Sequence, residues 1–341
     1  MKISCKAFLV FSFLLPPPHL MAQGTWRLVR ENKQVSFPSS VPAGNYSGLA
    51  PMGDGHYAVV NDKAPGDGFS IMKIDIDSLS GEIKDVYQEV SYDNGMPSRD
   101  AEGIVFIPSS QTVWISGEKD NAVLGYTVDG RRTGDSLSLP VSFREMSHLY
   151  GLESLAYDSV SHTFYTANES TLTIDGEQAT ATNGVANRVR IVAIKEGKPF
   201  YELTYLMDAP LCGNEMQWYA MGVSELMVLP DGQLLVLERE LAVPKKKIGA
   251  FVNCKLYVIN PANITQGHDR EATPVEKELL FQWKTKLNIT ARDWANYEGM
   301  CLGPQLADGS WVVILVSDSQ DQYAGVLKDW WKTLVIAPVL P

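Results

Sequence analysis

Hydrophobic residues fall in short runs along this chain, broken at near-regular intervals by Gly, Pro, Asn and Asp, a rhythm that predicts strands rather than helices. The runs are rich in Val, Ile, Tyr and Trp, residues that suit a pleated, half-buried surface. No long amphipathic helical pattern interrupts them. Five runs open alike: Ser47-Gly48-Leu49-Ala50, Glu102-Gly103-Ile104-Val105, Glu153-Ser154-Leu155-Ala156, Glu225-Leu226-Met227-Val228 and Glu298-Gly299-Met300-Cys301. Each is followed by a second run with an acidic end: Asn61-Asp62, Gly117-Glu118, Asn168-Glu169, Glu238-Arg239 and Ser317-Asp318. Counted from Ser47 and the four Glu, the intervals are 15, 16, 16, 13 and 20 residues. One hairpin fits each interval, and a hairpin brings the chain back to the face it left.

The units begin near residues 47, 102, 153, 224 and 298, and each reads as up to four short strands. The third is clearest, with Ser154–Tyr157, Thr163–Thr166, Val189–Ile194 and Tyr201–Tyr205; the fourth has Leu226–Leu229, Leu234–Leu237, Lys255–Ile259 and Leu279–Trp283. Turn pairs stand between strands at Asp129-Gly130, Asp231-Gly232 and Asp308-Gly309. Four strands per unit, repeated at this spacing, predict an all-β propeller. The last unit supplies three strands, ending at Thr333–Ala337, so Trp26–Val29 is expected to add the fourth and close the ring. Five blades are countable, and the long third and fourth units or the join between the termini leave room for a sixth.

The first residues do not follow this pattern. Lys2 and Lys6 flank an apolar run from Ala7 to Leu15, followed by Pro16-Pro17-Pro18 and Leu20-Met21-Ala22. The expectation is a signal peptide over 1–22, cleaved before Gln23, with 23–341 as one propeller domain; an uncleaved anchor is the alternative. The run is too short to span a bilayer, and no other stretch reaches the ~18 apolar residues of a membrane helix. A secreted or periplasmic monomer is therefore expected. Without Lys2 and Lys6 the chain carries 27 basic against 40 acidic residues, a net charge of −13. That balance argues against nucleic acid as a partner. Three cysteines remain after Cys5 leaves. Cys301 sits in an apolar strand pattern as a buried thiol, so Cys212 and Cys254 are the expected disulfide, with three free thiols as the alternative.

In a propeller the innermost strand of each blade starts at one end of the central channel, and the second strand ends there. Glu102, Glu153, Glu225 and Glu298 are thus expected to ring the channel mouth, with Asp62, Glu118, Glu169, Glu238 and Asp318 around them. A single Glu-Gly can simply cap a strand. Four at equivalent places repel one another strongly unless a cation, arginines or protons compensate.

The same residues carry a resemblance. In order, Ser47-Gly48-Leu49, Asn61-Asp62, Asp100-Ala101-Glu102-Gly103-Ile104, Ser116-Gly117-Glu118, Gly151-Leu152-Glu153-Ser154-Leu155-Ala156 and Ala167-Asn168-Glu169 are followed by Val223-Ser224-Glu225-Leu226, Leu235-Val236-Leu237-Glu238-Arg239, Asn296-Tyr297-Glu298-Gly299-Met300 and Leu315-Val316-Ser317-Asp318. Together they resemble the phytase-like β-propeller family named for an esterase-like activity of phytase, across nearly the whole mature chain. The chain has Glu153-Ser154 where the family usually has Glu-Gly, His148 where an Asn is frequent, and Ser319-Gln320 where a second Asp often follows. The family's name implies hydrolysis of phosphate or carboxylic esters.

The residues permit some chemistries and not others. Gly-x-Ser-x-Gly is absent, since Gly222-Val223-Ser224-Glu225-Leu226 fails at its last position, and there is no HExxH and no Walker loop. The oxygen-rich mouth suits Ca²⁺, which takes ~6–8 oxygen ligands; the expected ligands are Glu102, Glu153, Glu225, Glu298, Asp62, Glu118, Glu169 and Asp318. Glu102, Glu298, Glu153 and Glu238 are the candidate catalytic carboxylates. Arg99, Arg188, Arg239, Lys119 and His148 are candidate contacts for an anionic substrate, as is Lys63, although Arg beside Glu is often an ion pair. Two function classes follow. One is a calcium-assisted phosphoesterase or esterase acting on small substrates. The other is a binding propeller that captures a sugar or other ligand without turnover, using Trp114, Trp218, Trp294, Trp330 or Trp331 as stacking surfaces.

Overall fold

The computed structural model describes residues 25–146, 150–262, 273–287, 290 and 292–339. The expected signal segment 1–22, Gln23 and His148 lie outside the described residues. After β1 (Trp26–Glu31) come four blades in succession. They are β2 (Tyr46–Gly53), β3 (His56–Asn61), β4 (Gly66–Ile76), β5 (Ile83–Pro97); then β6 (Ala101–Ile107), β7 (Thr112–Gly117), β8 (Ala122–Thr127), β9 (Arg132–Leu137). The third holds β10 (Leu152–Asp158), β11 (Thr163–Asn168), β12 (Arg188–Lys195), β13 (Lys198–Leu206), and the fourth β14 (Trp218–Val228), β15 (Leu234–Val243), β16 (Phe251–Ile259), β17 (Lys277–Lys286). The fifth has β18 (Asn296–Gln305), β19 (Trp311–Asp318) and β20 (Trp331–Pro338), and β1 pairs antiparallel with β20 as its outermost strand. Five antiparallel four-stranded sheets result, so the described chain is a five-bladed propeller closed by its N-terminal strand.

Neighbouring inner strands β2, β6, β10, β14 and β18 pack side by side, and β18 returns against β2. A wedge of apolar side chains fills each of the five gaps between blades, as with Ile104 and Ile115 against Ala58 and Val60 between the first two. The other four wedges join blades two to three, three to four, four to five and five to one. Core burial therefore depends on every blade having two neighbours. Trp26 from β1 is buried in the wedge between blades four and five, and its indole Nε1–H donates to Asp231 at 2.8 Å.

Each inner strand carries one irregularity at the same place. The pairing shifts register between Tyr46 and Gly48, Ala101 and Ile104, Leu152 and Ser154, Val223 and Glu225, and Tyr297 and Gly299. A β-bulge at this point re-aims one side chain per blade toward the channel end. The residue after the bulge abuts the next inner strand. A Cβ on Gly48 would stand 2.2 Å from the Glu102 carbonyl oxygen, and one on Gly103 would stand 2.3 Å from the Leu155 nitrogen.

The expected disulfide is not formed. Cys212, Cys254 and Cys301 are all free and buried. Cys254 lies mid-strand in β16, opposite Arg239 and Trp283, with its side chain in the wedge between blades four and five. Cys212 packs instead in a small separate cluster with Ala181 and Ala242. Of the tryptophans proposed for stacking, Trp294, Trp330 and Trp331 are buried, and Trp114 packs edge-on against Phe164. Trp218 remains exposed, with the Lys247 ammonium over its ring.

Candidate functional site

Three of the five bulges and four of the five strand ends converge on one cavity of about 280 Å³ at the channel mouth. Its walls are Asp62, Lys63, Glu102, Glu118, Tyr150, Glu153, Glu169, Ala220, Arg239 and Glu298. The register explains which residues arrive. The residue before each bulge pairs with the last but one position of the returning segment: Tyr46 with Asn61, Ala101 with Gly117, Leu152 with Asn168, Val223 with Glu238 and Tyr297 with Ser317. The bulge positions are thus Ser47, Glu102, Glu153, Ser224 and Glu298. The returning positions are Asp62, Glu118, Glu169, Arg239 and Asp318. The mouth is an acidic ring with one basic member.

Two expected ring members are displaced by a single residue in blade four. Glu225 follows the bulge, where the other blades have Gly48, Gly103, Ser154 and Gly299, and its carboxyl is engaged by the backbone of blades three and four. Its Oε1 accepts from the Leu226 and Leu155 backbone N–H groups at 2.9 and 3.1 Å. Burial pushes its carboxyl well above the usual carboxylate range. Glu238 precedes the mouth position and faces the opposite side of its strand. There it accepts from Tyr205 Oη and Lys277 Nζ, both at 2.7 Å. Neither lines the mouth cavity.

The remaining acids are crowded. Carboxylate oxygens of Glu118, Glu153 and Glu169 lie within 4.8 Å of one another. Two carboxylates this close, Glu153 and Glu169, repel unless a proton or a cation stands between them. Burial pushes Glu102, Glu153 and Glu298 well above the carboxylate range, and neighbouring carboxylates push the first two further. Burial also raises Glu118, against a Gly151 N–H that donates to its Oε1 at 3.2 Å. Asp62 is raised to about 6, by burial first, with the Lys63 ammonium opposing. Its Oδ2 lies 2.8 Å from Lys63 Nζ, whereas its buried Oδ1 has no hydrogen-bond partner among the described residues. Asp318 stands behind the cavity wall, where Gln320 N–H and Nε2 donate to it at 2.7 and 2.6 Å.

Six carboxyl groups therefore face two cations in this cavity. Arg239 is buried, with Nη1 donating to Glu298 Oε1 at 2.6 Å and to Asn296 Oδ1 at 3.2 Å, and Nη2 to Glu169 Oε1 at 2.7 Å. Lys63 is the exposed cation of the pair, with half of its side chain open to solvent. Other expected substrate contacts are placed elsewhere. Arg99 is buried beneath blade two, clamped to Asp120 by two bonds of 2.6 and 2.9 Å and bonded to Tyr126 Oη and the Ala122 carbonyl. Lys119 pairs with Asp100 at 2.8 Å outside the cavity. Arg188 opens β12 opposite Leu206, also away from the cavity lining. Sequence reasoning missed Tyr150, which lines the mouth beside Glu169 and Arg239. No repeat marks that residue, because it precedes its blade.

Several features suit a hard divalent cation. Three carboxylates are spaced as ligands of one ion, the Asp62 Oδ1 is buried and unpaired, and the donor set is all oxygen. A bound cation would also offset the excess of negative charge. Among the described residues no helix is long and apolar enough to cross a membrane.

No curated protein matches the sequence. Among solved structures the chain is similar to a streptogramin B lyase, with 14% identity, 90% of this chain and 98% of the other covered, and a TM-score of 0.38. It is similar to a thermostable family-43 glycoside hydrolase at 10% identity, with coverage of 89% and 93% and a TM-score of 0.45. The endo-arabinase of Bacteroides thetaiotaomicron VPI-5482 shows 11% identity, coverage of 89% and 96%, and a TM-score of 0.45. The family profile described as esterase-like activity of phytase matches residues 41–320, and the chain belongs to this phytase-like family.

Proposed function

We propose that the chain is a phytase-like esterase that hydrolyses small phosphate or carboxylic esters at the acidic mouth, with calcium as its cofactor. It acts as a monomer outside the cytoplasm after removal of residues 1–22. The observation that carries this reading is the convergence of Glu118, Glu153 and Glu169, with oxygens within 4.8 Å of one another, in an open cavity. These three residues would hold the cation, with Glu102 and Glu298 facing them. When bound, the ion supplies charge stabilisation for a phosphoryl or carbonyl oxygen. Lys63, exposed at the rim, meets the anionic part of the substrate. Asp62 is the general base. Burial raises its carboxyl to about 6, which leaves it ionised yet basic at neutral pH, and it lies beside the exposed Lys63.

The test is a panel of phosphate and carboxylic esters with the purified protein, in calcium and in chelator. Glu118→Gln with Glu153→Gln, which removes two of the three proposed ligands, is expected to lower both calcium affinity and turnover by about tenfold or more. Asp62→Asn is expected to lower kcat with little change in calcium affinity. An active parent whose activity and calcium affinity both survive Glu118→Gln with Glu153→Gln would place the chemistry elsewhere. A second reading is favoured by the Arg239 pairs with Glu169 and Glu298, which close part of the mouth: a propeller that binds a sugar or other small molecule without turnover. It takes over if the parent hydrolyses no ester and binds no calcium.

A further inference from the structure

The ring is acidic at four of its five returning positions and basic at the fifth. The exception is not peripheral. Arg239 occupies the place of Asp62, Glu118, Glu169 and Asp318 in the other blades, yet its guanidinium reaches two of the ring's carboxylates, one on each side. Toward blade three it bonds Glu169, and toward blade five it bonds Glu298 and Asn296. Asn296 in turn donates from Nδ2 to Glu298 at 2.8 Å and to Asp318 at 3.4 Å, so one cation links acids from two blades across the fourth.

The surrounding backbone is cut to fit this arrangement. Gly222 pairs with Arg239 across the hairpin, and a Cβ there would lie 2.3 Å from Glu169 Cγ and 2.6 Å from the Glu169 carbonyl oxygen. The Val223 N–H donates to that same carbonyl at 3.0 Å. Glu169 is therefore seated on blade four before any ligand arrives. Burial works against the Arg239 charge, yet Glu298, Glu169 and Glu153 around it push its pKa up. Its Nε is buried with no partner among the described residues. A guanidinium kept charged with one donor unmet is held there by the carboxylates, not by a fully satisfied hydrogen-bond shell.

We propose that Arg239 is a built-in counter-cation: it holds the acidic mouth together without metal and, by occupying Glu169 and Glu298, keeps calcium affinity low enough for the ion to exchange. The inference rests on the cation reading of the mouth given above. A fifth acid or a neutral residue at this place would leave the ring dependent on metal for folding, whereas a fixed guanidinium is always charged and cannot dissociate. Calcium then competes with Arg239 for Glu169 instead of meeting a free carboxylate.

The test compares the parent with Arg239→Met, which keeps the stem and removes the charge, and Arg239→Lys, which keeps the charge. Thermal unfolding is followed in chelator and in calcium, and calcium affinity is measured by calorimetry. In chelator, Arg239→Met is expected to melt about 5–10 °C below the parent, since it strands buried carboxylates. Added calcium should recover most of that loss, and calcium should bind about tenfold tighter than to the parent. Arg239→Lys should stay nearer the parent in both readings. If the parent binds calcium and Arg239→Met binds it equally or more weakly, Arg239 only positions Glu169 and the inference fails alone. If neither protein binds calcium, the cation reading fails and takes this inference with it. An Arg239→Lys protein that matches Arg239→Met in both measurements would show that shape, not charge, is at work.

Discussion

At the residue scale, the mouth is governed by how buried carboxylates are neutralised. Protons, Lys63 and Arg239 are the available means. Asp62 has its folded pKa raised from 3.8 to about 6. Between those values the folded protein retains a proton that the unfolded chain has released, so stability falls as pH rises through that window. In calcium-free buffer the unfolding free energy from denaturant titration should therefore decline from pH 4 to pH 6, by on the order of 2 kcal/mol for this group. Glu102, Glu153 and Glu298 are raised in the same direction and add to the decline. Asp62→Asn should flatten the first part of the curve; a slope that rises or is unchanged would show that Asp62 is not the group responsible.

At the scale of the element, the inner-strand bulge is the device that builds the site. It turns Glu102, Glu153 and Glu298 into the mouth, whereas Ser47 and Ser224 at the same place donate to backbone carbonyls, and it makes the next residue a contact between blades. Gly103 shows why that next position is so often glycine. An added Cβ would meet the Leu155 nitrogen at 2.3 Å and the Ser154 carbonyl carbon at 2.6 Å, and backbone cannot swing aside as a side chain can. Gly103→Ala is expected to cost at least the ~1–3 kcal/mol of ordinary overpacking, because blades two and three must part to admit the methyl group. Urea denaturation measures it, and an unaltered midpoint would mean that the inner strands yield freely. Blade four solves the same problem differently: Glu225 stands at this position and its carboxyl bonds the Leu155 backbone.

For the whole molecule, stability is shared around a ring. Each apolar wedge lies between two blades, so opening the ring exposes more than one sheet edge. β1 is the closure, anchored by Trp26 and by the Val35–Trp331 bridge just beyond it. Trp26→Ala should cost roughly 3–5 kcal/mol, the usual range for removing a buried aromatic. A chain starting at Asn32 leaves β20 as an open edge and is expected to aggregate. Size-exclusion chromatography of that shortened chain is the check, and a monomer with parental melting temperature would show that closure is dispensable. Trp26 also bonds the turn at Asp231, which ties the closing strand to blade four.

Much of this architecture was legible in the chain itself. Strand character, the five hairpin units and closure by Trp26–Val29 follow from local hydrophobic pattern and spacing, and local pattern is what a linear sequence records. The convergence of Glu102, Glu153 and Glu298 with Asp62, Glu118 and Glu169 follows equally from the out-and-back hairpin. Blade four marks the limit. There the matched pair is Ser224 and Arg239, 15 residues apart, and the odd interval of 13 from Glu225 to Glu238 was the one sign of a slipped alignment. A strand has period two, so a slip of one residue turns a side chain from the mouth to elsewhere, and only pairing register decides it. The clamp of Arg99 on Asp120 and the reach of Arg239 to two blades likewise depend on residues far apart in sequence. Three thiols stay separate for the same reason: cysteine count permits a bond, but the packing of β16 holds Cys254 in one wedge and Cys212 in another cluster.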